Sequence, residues 1–182
     1  LLPHFAALEG QSRFAEVRVG WSEQGLAVSL RVVGKKQTLW CRDTRIEDSD
    51  GIQIWIDTRD THNVHRAGRF CHRLGLLPAG SGRQFNDPVA ALLAINRARE
   101  SPRPINDRLI QMRARRLEDG YSLDAAVPAN ALTGFDPGEH PRLGFFYTVI
   151  DRELGFQSLS LSREFPVAED PSLWATLELT GR

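Results

Sequence analysis

The sequence predicts an all-β, antiparallel sandwich of about nine strands with one inserted α-helix. Three observations predict it. Apolar residues recur at every second position in segment after segment, which is the period of a half-buried strand and not of a helix. Short turns rich in glycine and acidic residues separate those segments. Only the stretch 87–100 carries the start and stop signals of a helix. At 182 residues, 41% hydrophobic and 25% charged, the chain reads as a single domain over 1–182 with the helix inserted near 87–100.

The elements follow in order. Phe14 to Trp21 alternates, with Ala15, Val17, Val19 and Trp21 on one face and Glu16 and Arg18 on the other. Ser22-Glu23-Gln24-Gly25 is a turn in which Gly25 tolerates positive φ. Leu26 to Val33 returns with Leu26, Val28, Leu30 and Val32 inward, which closes a hairpin. A further strand is expected near Gln37 to Cys41, then an acidic loop, Glu47-Asp48-Ser49-Asp50-Gly51. Ile52 to Asp57 sets Ile52, Ile54 and Ile56 on one face and Gln53, Trp55 and Asp57 on the other. Arg69 to Leu77 is a strand ended by Pro78-Ala79-Gly80-Ser81-Gly82. Asp87 and Pro88 have the types preferred at the N-cap and first position of a helix. Val89, Leu92 and Leu93 would form its buried stripe, and Arg97 and Arg99 would suit its C-terminal dipole. Strands resume at Leu109 to Leu117 and Tyr121 to Val127, with a helical turn at 128–132. The last strands are Leu143 to Asp151, Phe156 to Ser162, and Trp174 to Thr180.

Charge narrows the partners. The formal net charge is zero, but 59–116 holds twelve arginines, no lysine and four acids. A basic middle can meet phosphate or carboxylate groups, or be complemented by acidic neighbours on folding. Aromatic residues that could stack on bases are sparse there, only Phe70 and Phe85, so nucleic acid is not an expected partner. No apolar run is long enough to cross a bilayer, so a membrane is not one either. The opening Leu1-Leu2-Pro3-His4 lacks the pattern of a secretory leader. Cys41 and Cys71 form no CxxC pair; free buried thiols are expected ahead of the alternative, a disulfide between two strands. No G-x-S-x-G elbow, H-E-x-x-H helix or phosphate loop is present, so no catalytic residue is assigned.

Three stretches carry a family likeness. Asp50-Gly51-Ile52-Gln53-Ile54-Trp55-Ile56-Asp57 resembles the "D-S-V-E-I-F-I-D" strand of family 9 carbohydrate-binding modules and their DOMON-like relatives. Gly120-Tyr121-Ser122-Leu123-Asp124-Ala125-Ala126-Val127-Pro128, with Ala131-Leu132, is similar to that family's "G-Y-x-x-E-x-x-I-P-x-x-x-L" segment. Leu143-Gly144-Phe145-Phe146 with Asp151 resembles its following strand. Gln53 and Asp124 stand where the motifs have Glu, and Gly51 where they have Ser. The resemblance implies a non-catalytic sandwich module that binds a carbohydrate, extracytoplasmic, alone or beside an enzyme. Structural calcium occurs in the group, and some relatives hold haem.

Three groups of side chains are candidates. Trp55, Gln53 and Asp57, joined by Arg31 and Ser29 if their strand lies alongside, have the chemistry of a sugar platform. An indole packs on the C–H face of a pyranose while amide and carboxylate bond its hydroxyls. The alternative is that a helix or loop covers Trp55 while Gln53 and Asp57 cap turns. His62, His65, His72 and Asp60 offer a ligand set that zinc would accept if they converge, or else form a polar loop. Glu47, Asp48 and Asp50 are a calcium candidate or a solvated loop. The function expected first is carbohydrate recognition. A metal or haem module, or an assembly domain with a partner domain or second copy, is the alternative.

Overall fold

The structure, a computed structural model, describes residues 1–4, 13–161 and 164–181. Ten strands form two antiparallel sheets. β1 (Ala15–Ser22), β2 (Gly25–Val33), β6 (Gln111–Leu117) and β7 (Gly120–Pro128) make a four-stranded sheet in the order β1-β2-β7-β6. β3 (Gly51–Asp57), β4 (Cys71–Ser81), β5 (Asp87–Leu93), β8 (Arg142–Asp151) and β10 (Ala175–Glu178) run in the order β10-β8-β3-β4-β5 in the second. β9 (Gly155–Ser158) folds back on β8.

The period-two stripes become the core. Leu26, Val28, Leu30 and Val32 of β2 and Tyr121, Leu123, Ala125 and Val127 of β7 are buried in one cluster with Ile52, Ile54 and Ile56 of β3. Leu74 and Leu76 of β4 and Leu143, Phe145, Tyr147 and Val149 of β8 join it. Each valine, leucine, isoleucine or phenylalanine among them contributes about 1.5–3 kcal/mol when fully buried. Gly25 begins β2 at φ 140°, where a Cβ would strike the Val127 carbonyl, so the turn requires glycine.

Three expectations are corrected. Asp87–Leu93 is strand β5, not a helix, and pairs with β4 from Arg73↔Leu93 to Leu77↔Val89. The Asp-Pro pair mimics a helix start, but β4 needs a partner along its outer side, and that non-local pairing decides. Pro88 is tolerated because β5 is an edge strand and needs no N–H on its open side. Between Leu77 and Ser81 the register shifts, which accommodates Pro78 within β4. The segment 37–42, expected to be a strand, is irregular, and a 3-10 helix spans Asp43–Asp48, taking in Glu47 and Asp48 of the expected acidic loop. Arg31 lies in the four-stranded sheet, opposite Glu16 and Ser122, and is no neighbour of the Trp55 strand. Ser162, the expected end of the Phe156 strand, lies outside the described residues.

One polar cluster ties the sheets together. Lys35, just after β2, reaches Asp50 at 3.1 Å and Asp151 at 3.0 Å, with all three side chains buried. Burial alone would lower the Lys35 pKa, but hydrogen bonds and charge from Asp151 and Asp50 raise it. Cys41 and Cys71 are free and buried, and burial pushes both thiols up to about 12. No helix among the described residues is long and apolar enough to cross a membrane.

Candidate functional site

The side of β3 away from the isoleucines is the floor of a cleft on the outer face of the six-stranded sheet. Strand pairing places Arg73 of β4 on one side of Trp55 and Phe146 of β8 on the other. Trp55 and Phe146 meet edge-on at 5.8 Å and 61°. Gly75 follows Arg73 on this face. A Cβ there would overlap Ile46 Cγ2, so its absence lets the 3-10 helix at 43–48 pack down and raise Glu47 as one wall.

The floor is tightly bonded. Arg73 donates from Nε and Nη2 to Gln53 Oε1, at 3.2 and 2.6 Å, and its Nη1 lies 2.7 Å from Glu47 Oε1. Gln53 Nε2 in turn donates to the Glu47 carbonyl at 3.2 Å. The Arg73 guanidinium also lies over the Trp55 ring at 5.2 Å. A charge that is only 8% exposed is stable because carboxylate, amide and carbonyl together satisfy it.

The opposite wall is the segment 165–168. Trp55 Nε1 donates to the Ala168 carbonyl at 3.2 Å, and Trp174 Nε1 to the Val167 carbonyl at 2.7 Å. These two bonds hold up Phe165, whose ring is half exposed. Between the walls lies a cavity of about 590 Å³, bordered also by Thr148, Arg152 and Phe156. Its size and mixture of aromatic and polar groups suit a small polar ligand.

The expected site residues fall in different places. Gln53 and Trp55 are in the cleft, but Trp55 is only 4% exposed, under Arg73 and the 165–168 wall. Asp57 shares their face and caps the following turn, accepting from the N–H groups of Arg59 and Thr61 at 3.0 and 2.8 Å. Arg31 is in the other sheet.

The histidines do not converge. His62 bonds Asp60 and Thr176 at 3.0 and 2.9 Å, and His65 bonds Asp170 and Ser172 at 3.1 and 3.0 Å. Burial would raise the Asp170 pKa, but hydrogen bonds from Ser172 and His65 hold it below its ordinary value. Both Asp170 and Ser172 approach the same nitrogen, Nδ1, so the Ser-His-Asp trio lacks the geometry of a relay. His72 points into the sandwich, its Nε2 accepting from Thr133 N–H at 2.8 Å. Burial drives its pKa down to about 4. No group of three His, Cys, Asp or Glu is gathered to hold a metal among the described residues. The acids of the calcium candidate are each engaged by a different cation: Glu47 by Arg73, Asp48 by Arg45 and Asp50 by Lys35.

Comparison with known proteins follows the same outline. No protein-family model matches the chain, and no curated protein matches it. Among solved structures, it is similar to a family 9 carbohydrate-binding module from Caldicellulosiruptor kristjanssonii in complex with cellotriose. The TM-score is 0.62 and the identity 14%, over 100% of this chain and 90% of that one. A family 9 module from the same organism in complex with glucose matches with a TM-score of 0.62 at 15% identity, over 92% and 77% of the two chains. The chain has a CBM9-like fold.

Within this CBM9-like fold, sequence reasoning missed Arg73, Phe165 and Trp174. Arg73 alternates with Cys71 and Gly75, opposite His72, Leu74 and Leu76, and that period was a signal for its place on the outer face. Phe165 and Trp174 lie outside any alternating run around the cleft, and nothing in the linear pattern linked them to Trp55.

Proposed function

We propose that the chain is a non-catalytic module that binds carbohydrate in the cleft above Trp55. The observation that carries this reading is one cleft joining an exposed aromatic ring to a fixed set of hydrogen-bonding groups, on a CBM9-like fold. The solved relatives hold cellotriose and glucose, both neutral sugars. In this reading Phe165 stacks on a pyranose face, while Glu47, Arg73 and Thr148 bond its hydroxyls. Trp55 and Gln53 act beneath, holding Arg73 and the 165–168 wall in position. Affinity is weak and spread over several contacts, because a half-open cleft leaves part of each ring in water.

Isothermal titration with glucose, cellobiose and cellotriose, supported by a glycan array, tests it. Binding of at least one of these sugars is expected. Phe165→Ala and Glu47→Gln should each weaken it by roughly tenfold, about 1.4 kcal/mol. A silent array and flat titrations would refute the reading, as would binding that neither substitution alters.

A further inference from the structure

A second cavity, of about 560 Å³, lies where the β4–β5 hairpin meets edge strand β6, and it shares no residue with the cleft above Trp55. We propose that this cavity is a separate binding site for an acidic sugar, a uronic acid within an oligosaccharide.

The first observation is Phe85. The residue is 59% exposed at the rim, and its backbone lies at φ 55°. Among the described residues only Asp60 and Arg97 share a positive φ without being glycine. A bulky aromatic in the left-handed region is a true outlier, and such outliers concentrate at functional sites. Two backbone bonds hold it there, Phe85 N to the Gly82 carbonyl at 3.2 Å and Gly80 N to the Phe85 carbonyl at 3.0 Å. The hairpin thus presents an apolar ring to water at a position where glycine would fit without strain.

The second observation is charge. Arg42, Arg115 and Arg116 line the cavity, and no acidic residue does. The side chains of Arg115 and Arg116, on opposite faces of β6, make no ion pair or hydrogen bond among the described residues. In a chain of zero net charge these guanidiniums stand uncompensated. Guanidinium forks match the plane and spacing of a carboxylate. The third observation is the neutral polar pair Gln84 and Asn86, flanking Phe85 and offering amides to hydroxyl groups. One aromatic face, the guanidinium of Arg116, on the same face of β6 as Ala114, for a carboxylate, and amides for hydroxyls describe an acidic pyranose. A nucleic-acid strand needs a succession of stacking rings along a basic track, and this cavity has one ring.

Titration of the full chain with tri-galacturonate, against cellotriose and a single-stranded oligonucleotide, tests the proposal. The uronate is expected to bind, and more weakly as sodium chloride rises. The double variant Arg115→Gln/Arg116→Gln should lose roughly tenfold in affinity or more. Phe85→Gly should lose a similar factor while keeping or raising the melting temperature, because glycine accepts that backbone conformation. That pairing separates loss of a ligand contact from unfolding. Phe165→Ala, in the other cleft, should leave uronate binding unaltered, so this site and the proposed sugar cleft can fail independently. No uronate binding, binding that survives both sets of cavity substitutions, binding lost on Phe165→Ala, or binding of the oligonucleotide alone would each overturn the proposal.

Discussion

Lowering the pH should destabilise this protein through His72, by an amount that follows from its surroundings. The ring is fully buried on the interior face of β4, opposite Ile56. Its Nε2 accepts a hydrogen bond from Thr133 N–H, which requires a neutral imidazole with its proton on Nδ1. Nδ1 itself has no hydrogen-bond partner. Burial lowers the pKa from 6.5 to about 4, and the carbonyls of Phe70 and Ile56 and the Asp57 charge offset only part of that effect. The folded state therefore stays unprotonated between pH 6.5 and 4 while the unfolded chain takes up a proton. Stability is full above about pH 6.5 and declines as the pH falls towards 4. With the pKa moved from 6.5 to about 4, the loss is about 3 kcal/mol. Carboxylates also titrate in this range, so the variant His72→Gln serves as reference, keeping an acceptor for Thr133 without a titrating ring. Urea unfolding at pH 7 and pH 4 should show the native chain losing about 3 kcal/mol more than the variant between the two conditions. Parallel losses would refute the account, and so would a ring titrating near pH 6.5 by NMR.

Other substitutions follow from the same packing. Lys35→Met leaves Asp50 and Asp151 buried without their cation, and should cost about 3–5 kcal/mol in urea unfolding. Gly75→Ala pushes Ile46 and its 3-10 helix off the sheet. It should cost about 1–3 kcal/mol and weaken any sugar titration, because Glu47 moves with it. Cys41 and Cys71, buried with thiol pKa values near 12, should ignore Ellman's reagent in the native state and react only after unfolding. Fast labelling of either thiol in the native chain would contradict their burial.

The fold was legible wherever the pattern was local. The hairpin around Gly25, the Ile52-Ile54-Ile56 stripe and the segment 120–128 declare their faces through alternation alone. β5 was not legible as a strand, because Asp87-Pro88 and the spacing of Val89, Leu92 and Leu93 also fit a helix. The choice rests on pairing with β4, whose partners run from Ser81 opposite Asp87 out to Arg73 opposite Leu93, beyond the reach of a local pattern. Arg31 fails as a neighbour of Trp55 for a related reason, since alternation assigns a face within a strand but not the sheet that the strand joins. The site divides the same way. Gln53 and Trp55 could be placed on an outward face, but their partners Arg73, Glu47 and Ala168 arrive from three other segments.

The two indole N–H groups that hold the carbonyls of Val167 and Ala168 fix how the outer cleft behaves in time. A wall fastened at adjoining residues to two buried rings is already in position before anything enters. A carbohydrate bound as proposed would meet a wall already fastened at two points, and little ordering entropy would be lost on association. Mutual adjustment should be small, so encounter should proceed in one kinetic phase, with differences among guests expressed in how long each one stays.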